Sequence, residues 1–309
     1  MIEIIHGDAT EFDFAHGAIQ AMITDPPYSD HVHANITTSC AAEGIRGYKR
    51  QTLYFAALTS DLRAYIARAA ALVAGWSVIY SDHESSHLWR ESLDAGAAYI
   101  RSVLVDVEQE GYVDVLPWER WSQPQKSGDR PTQGFEVLTL AWGIARGRKV
   151  WNGPGSMTAL RHKALRGSHG ASVNKHRTEK PLDQALDLVS WFSNAPHLPW
   201  TERSQPAQDG ALPVFDPCAG SGTTAQACRL LGRAFVGFEL DAEWAAKAQA
   251  RVTAPLSDRD RERAERWVLA TLAEASRVPA PRAPDGSDIK TWERAQRRIA
   301  DAEFVGEQL

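Results

Sequence analysis

Two segments far apart in the chain carry residues whose types and spacing suit chemistry. The first is Asp25-Pro26-Pro27-Tyr28. The second is Phe215-Asp216-Pro217-Cys218-Ala219-Gly220-Ser221-Gly222-Thr223-Thr224. Asp-Pro-Pro-Tyr joins a carboxylate and an aromatic face to a backbone stiffened by two prolines, which suits a planar amine. The glycine-rich segment can bring its backbone close to a ligand and opens a helix at Thr223 and Thr224, which suits a nucleoside-like cofactor. It lacks the lysine of a phosphate-binding P-loop, so a nucleoside triphosphatase is disfavoured. Glu239 ends the following apolar run, about 20 residues past Gly220, where Rossmann-like folds place the carboxylate that binds ribose hydroxyls.

These residues need a scaffold, and the patterning supplies one. Both segments end apolar runs that read as buried strands, residues 18–24 and 212–215. Open α/β sheets place their sites at such carboxyl ends. Residues 1–5, 76–80, 101–107, 136–142 and 234–238 are further strand candidates. Residues 60–74 have helical spacing with Ser60 or Asp61 as cap, and a helix resumes near Glu179 with Pro181 in its first turn. Strand and helix alternate, which implies crossovers and a largely parallel, doubly wound α/β sheet. Residues 109–133 read as a long functional loop, and 29–50 as a long polar loop beside the site.

The chain has 309 residues, enough for one large core, with 43% hydrophobic and 24% charged residues. No apolar stretch is long enough to span a membrane and the N-terminus has no signal-peptide pattern, so a cytoplasmic protein is expected. Cys40, Cys218 and Cys228 are too scattered for a disulfide framework or zinc cluster. His31 and His33 near Asp30 lack a convergent partner set, so no metal is expected. Net charge is −5, yet residues 146–180 hold nine basic residues against Glu179 alone. Arg146, Arg148, Lys149, Arg161, Lys163, Arg166 and Lys175 are therefore candidates for contacts with nucleic-acid phosphates.

Asp-Pro-Pro-Tyr followed much later by Asp-Pro-Cys-Ala-Gly-Ser-Gly-Thr-Thr resembles the amino-methyltransferases of DNA, which use S-adenosyl-L-methionine to methylate exocyclic base amines. The order, catalytic motif first and cofactor loop last, is that of the circularly permuted β class. The resemblance runs from His6-Gly7-Asp8-Ala9 to about Arg251. It implies a sheet of seven strands, one antiparallel. It also implies that Asp25 and the Pro26 carbonyl accept the two amine hydrogens, Pro27 stiffens the motif, and Tyr28 stacks on a base flipped from the duplex. On the cofactor side it implies Asp8 near the adenine and Asp216 near the methionine amine. Pro217, Cys218, Ala219, Gly220, Ser221, Gly222, Thr223 and Thr224 form the loop, and Glu239 meets the ribose. Lys180, in His176-Arg177-Thr178-Glu179-Lys180-Pro181, would pair with the cofactor carboxylate.

Asp at the head of the motif leans toward adenine N6, since cytosine-amine enzymes of this family more often begin with Ser. A cytosine 4-amino enzyme, and a DNA-binding protein that keeps the pocket without catalysis, are the alternatives. Cys218 lies in the cofactor loop and is not expected to be a nucleophile. The expected organisation is a catalytic half (1–142), a basic recognition insert (143–175), a cofactor half (176–254) and a helical extension (255–309). Monomer and homodimer both remain open.

Overall fold

The computed structural model describes residues 1–30, 37–40, 47–50, 56–82, 85–103, 112–121, 135–143, 160–163, 179–193, 212–258, 260–262, 265 and 267. Their strands are β1 (Ile2–His6), β2 (Ala21–Thr24), β3 (Thr37–Cys40), β4 (Gly47–Arg50), β5 (Trp76–Ser81), β6 (Tyr112–Trp121), β7 (Phe135–Trp142), β8 (Leu160–Lys163), β9 (Val214–Asp216) and β10 (Phe235–Glu239). The helices are α1 (Ser60–Leu72), α2 (Ser86–Val103), α3 (Leu182–Phe192), α4 (Thr223–Leu230) and α5 (Ala242–Thr253). The chain divides into two compact units, Met1–Ala264 and Glu265–Leu309, and these elements all belong to the first.

Eight strands form one sheet in the order β1-β10-β9-β2-β5-β7-β6-β8. Neighbours from β1 through β5 run parallel, and β7 alone runs against the rest. The sheet is thus one strand larger than the seven expected, while the single antiparallel strand is as expected. Two of the eight, β6 and β8, were not among the expected strands, and β8 is four residues reading Leu-Arg-His-Lys within the expected basic insert. Such a run has no apolar alternation to announce it.

Three more expectations are corrected. Residues 112–121 form β6 inside the expected long loop, although Pro117 interrupts the run. Residues 101–103 continue α2 instead of starting a strand. The expected polar loop holds β3 paired antiparallel with β4.

The connections divide the molecule around β2 and β9, which lie side by side in the middle of the sheet. From β2 the chain crosses by α1 to β5; from β9 it crosses by α4 to β10, in the opposite direction along the sheet. Right-handed crossovers in opposite directions put their helices on opposite faces. The central strands are therefore covered on both sides, and every residue of β2 and β5 is buried.

Beneath α1 the core packs Met22, Ile79, Phe215 and Phe238 against Tyr65, Ile66 and Ala69, with Trp89 and Leu93 from α2. Helix α1 is capped by Thr59, whose hydroxyl accepts the Leu62 N–H at 3.1 Å, so the cap precedes the expected Ser60. Its alanine-rich face lets α2 come close. A Cβ on Gly96 would lie 2.6 Å from the Ala67 carbonyl oxygen, so Gly96 is required by the helix contact.

Candidate active site

Register brings the two sequence motifs together. Met22 of β2 stands opposite Phe215 of β9, so Asp25 and Asp216 leave neighbouring parallel strands at the same carboxyl edge. This is where the crossovers diverge, the position at which doubly wound sheets open a crevice.

At the end of β2 the site is built from charged side chains. Lys180 Nζ lies 2.9 Å from Asp25 Oδ1. The contact is a buried ion pair. Tyr28 donates its hydroxyl to Glu136 Oε2 at 2.7 Å. Lys180 Nζ lies 3.2 Å from both Glu136 Oε2 and the Tyr28 hydroxyl. The ammonium also sits over the rings of Tyr28 and Tyr80, at 5.2 and 4.9 Å from their centroids.

Burial pushes the Asp25 carboxyl up to about 6; Lys180 opposes this and Glu136 reinforces it. Burial works against the Lys180 ammonium, but Asp25 and Glu136 outweigh it and its pKa is raised. The backbone after the motif is tethered too. Asp82, at the end of β5, accepts from Ser85 N and Oγ at 2.8 and 2.7 Å and from Ser29 N at 3.4 Å. The Leu58 N–H reaches the Tyr28 carbonyl at 3.1 Å.

At the end of β9 the site is built from main chain. Gly220 and Gly222 have φ of +53° and +76°, a region that non-glycine residues rarely adopt. Cys218 N–H donates to Asp216 Oδ1 at 3.0 Å, and Gly220 N–H to Glu239 Oε2 at 2.8 Å. Glu239 Oε1 accepts from Asp241 N at 2.9 Å. Burial pushes Asp216 up to about 7, against the bond from Cys218. Burial also raises Glu239 and pushes the Cys218 thiol well up, which keeps that sulfur neutral. Asp8 is exposed and caps the turn after β1, accepting from Thr10 N and Oγ1 at 2.8 Å. Its strand pairs His6 with Glu239, which brings Asp8 to the same end of the sheet as Glu239.

Residues 179 and 180 join the two ends. Lys180 faces Asp25, while Glu179 pairs with Arg251 of α5 at 3.0 Å. Arg251 Nη1 also reaches the Ser221 carbonyl at 3.1 Å. Sequence reasoning missed Glu136, Tyr80, Asp82 and Arg251. A lone acid at the head of the apolar run of β7 was the one available signal for Glu136. Of the basic candidates, Arg161 and Lys163 fall on β8, opposite Glu119 and Trp121 of β6. Arg146, Arg148, Lys149, Arg166 and Lys175, with His31 and His33, lie outside the described residues.

Residues 119–250 match the model of a family described as DNA methylase, of the N6/N4 kind. That match covers a little under half of the chain. The matched segment contains Glu136, Lys180, the glycine loop and Glu239; Asp25 lies ahead of it, in the part of the fold that the sheet brings alongside. Among similar solved structures is the M1.HpyAVI–SAM complex, 24% identical over 82% of this chain and 100% of that one, with a TM-score of 0.54. Another is PvuII DNA methyltransferase, described as cytosine-N4-specific. It is 12% identical over 87% of this chain and 92% of that one, with a TM-score of 0.50. At these identities the likeness is one of fold. No helix among the described residues is long and apolar enough to cross a membrane.

Proposed function

We propose that this protein transfers the methyl group of S-adenosyl-L-methionine to an exocyclic amine of double-stranded DNA, with adenine N6 as the first candidate. The observation that carries this reading is the buried Asp25 carboxylate, which leaves the sheet at the same carboxyl edge as the glycine loop, on the neighbouring parallel strand. An exocyclic amine is a poor nucleophile because its lone pair is delocalised into the ring. Asp25 accepts one amine hydrogen and the Pro26 carbonyl the other, which localises the pair and aims it across the crevice. Tyr28 stacks on the extruded base, its ring held through the hydroxyl by Glu136.

The residues of the other strand fit the cofactor. Gly220 and Gly222 leave the loop open to close approach, Glu239 sits at the β10 end to meet the ribose, and Asp216 is a carboxylate whose pKa burial holds high. Asp216 would take the methionine ammonium and Asp8 the adenine end, with residues 217–224 as the cradle. When bound, the cofactor supplies an electrophilic methyl group and a neutral thioether leaving group. Lys180 is already shared between two carboxylates, so we assign it to Asp25 and not to the cofactor's carboxylate. The basic residues from Arg146 to Lys175 are assigned to DNA phosphates.

Adenine is preferred because Asp stands where cytosine-amine enzymes more often have Ser. Incubation with tritiated cofactor and unmethylated duplex DNA, followed by digestion and chromatography of the nucleosides, tests base and activity together. N6-methyladenine is expected. N4-methylcytosine would reverse the choice of base, and absence of label in DNA would overturn the activity.

A further inference from the structure

Glu136 enters the crevice from an unexpected direction. β7 runs against its neighbours, so its first residues lie at the sheet edge where the parallel strands end. Ser81, the last residue of β5, is paired with Val137. Glu136 is 8% exposed, and it holds the Tyr28 hydroxyl at 2.7 Å and the Lys180 ammonium at 3.2 Å through the same oxygen. Lys180 in turn is 2.9 Å from Asp25. Two carboxylates thus share one cation, and the aromatic ring expected to stack on the base is anchored to one of them.

On the methyl-transfer reading above, we propose that Glu136 is a positioning residue: it fixes the Tyr28 ring and shares the Lys180 ammonium, so that this charge does not act on Asp25 alone. Asp25 is then left as a strong acceptor for the amine hydrogen. With Lys180 drawn wholly onto Asp25, the carboxylate would be a weaker acceptor and the ring would lose its anchor.

The groups that face Asp25 set the sign of the test. Lys180, ahead of α3, favours its ionised form, while Glu136 on β7 opposes it. Asp216 on β9 faces it as a further carboxylate, and the hydroxyls of Tyr28 and Tyr80 lie beside it as neutral groups. Removing the Glu136 charge therefore lowers the Asp25 pKa, and removing the Lys180 charge raises it.

Glu136→Gln keeps an acceptor for Tyr28 and removes the charge. Single-turnover transfer at neutral pH is expected to fall about tenfold or more. The acid limb of its pH profile should move to lower pH, with S-adenosylhomocysteine affinity held within about threefold. Lys180→Met should move the same limb to higher pH. Glu136→Asp keeps the charge and shortens the reach, so the rate should fall with the limb in place. If Glu136→Gln does not fold, Glu136→Asp still decides, since an unchanged rate there overturns the proposal. An unmoved limb in Glu136→Gln overturns it, as does a rate loss matched by equal losses of cofactor affinity and melting temperature. A wild-type protein that methylates no DNA would sink the activity as well; an active wild type with an unmoved limb sinks this inference alone.

Discussion

The two strand ends that meet in the crevice are built on different physical plans. After β2, position is set by long-range contacts among charged and aromatic side chains: Asp25, Tyr28, Glu136 and Lys180. After β9, it is set by local main chain, with the Cys218 and Gly220 N–H groups on carboxylates and two glycines at positive φ. The first plan makes acceptor strength adjustable by charge without moving the backbone. The second makes a cradle whose shape depends on backbone conformation and changes when the backbone does. On the proposed function, a carboxylate that must match an amine needs the former, and a cofactor held by close approach needs the latter.

Substitutions at each end should separate the plans. Asp25→Ala should reduce methyl transfer by about a thousandfold or more, since it removes the acceptor acting on the reacting amine. Its affinity for S-adenosylhomocysteine should stay within about threefold by calorimetry. Retained turnover would end the catalytic assignment. Gly222→Ala should do the reverse. Its Cβ would lie 3.0 Å from the Ala248 Cβ at a φ of +76°. A stability loss of about 1–2 kcal/mol on thermal unfolding is expected, together with weaker cofactor binding. An unchanged affinity would mean that the loop conformation is not what holds the ligand.

Glu239→Ala should weaken cofactor binding by about 1–3 kcal/mol by removing charge-assisted hydrogen bonds, while saturated turnover changes far less. An equal fall in saturated turnover would place Glu239 in the chemistry instead.

The pH dependence sharpens the contrast. Asp25 at about 6 and Asp216 at about 7 hold protons in the folded protein that the unfolded chain releases near the ordinary carboxylate value. Folded pKa values raised in this way mean that ligand-free stability falls as pH rises from about 4 to about 7. Cofactor affinity should rise toward the upper part of that window, because the ionised Asp216 binds an ammonium. Asp216→Asn should flatten both trends, read by melting temperature and calorimetry; trends as steep as wild type would remove Asp216 from the cofactor site.

The smallest effect is expected from the basic segment. Replacing Arg161, Lys163 and Arg166 with Gln should reduce the slope of log affinity for DNA against log salt by about one for each phosphate no longer neutralised. Mobility-shift titrations at several salt concentrations measure it, and an unchanged slope would return these residues to solvent.

What was legible in the sequence follows the same division. The cofactor end could be read because its parts are local: Asp216 through Thr224 are contiguous, and Glu239 closes the next strand. Asp25 through Tyr28 could be read for the same reason. Glu136 could not, since its partners Tyr28 and Lys180 lie 108 and 44 residues away. The parallel strands at the centre of the sheet announced themselves as apolar runs. β6 hid behind Pro117, β8 behind three basic or histidine residues in four, and the end of α2 behind Val103 and its β-branched surroundings. In each, tertiary pairing overrode local preference.

The pairing of β1 with β10 also bears on when such a protein becomes competent. β1 leaves the ribosome ahead of the other strands, yet its neighbour in the sheet begins at Phe235. β2 likewise waits for β9. Contacts of this sequence separation close late and slowly. Until they close, Asp25 has no crevice to face and β2 lacks the neighbour that covers its inner edge. A nascent chain halted before Val214 would carry its Asp-Pro-Pro-Tyr motif without the strand beside it, so on the proposed function activity begins with the docking of the last two strands.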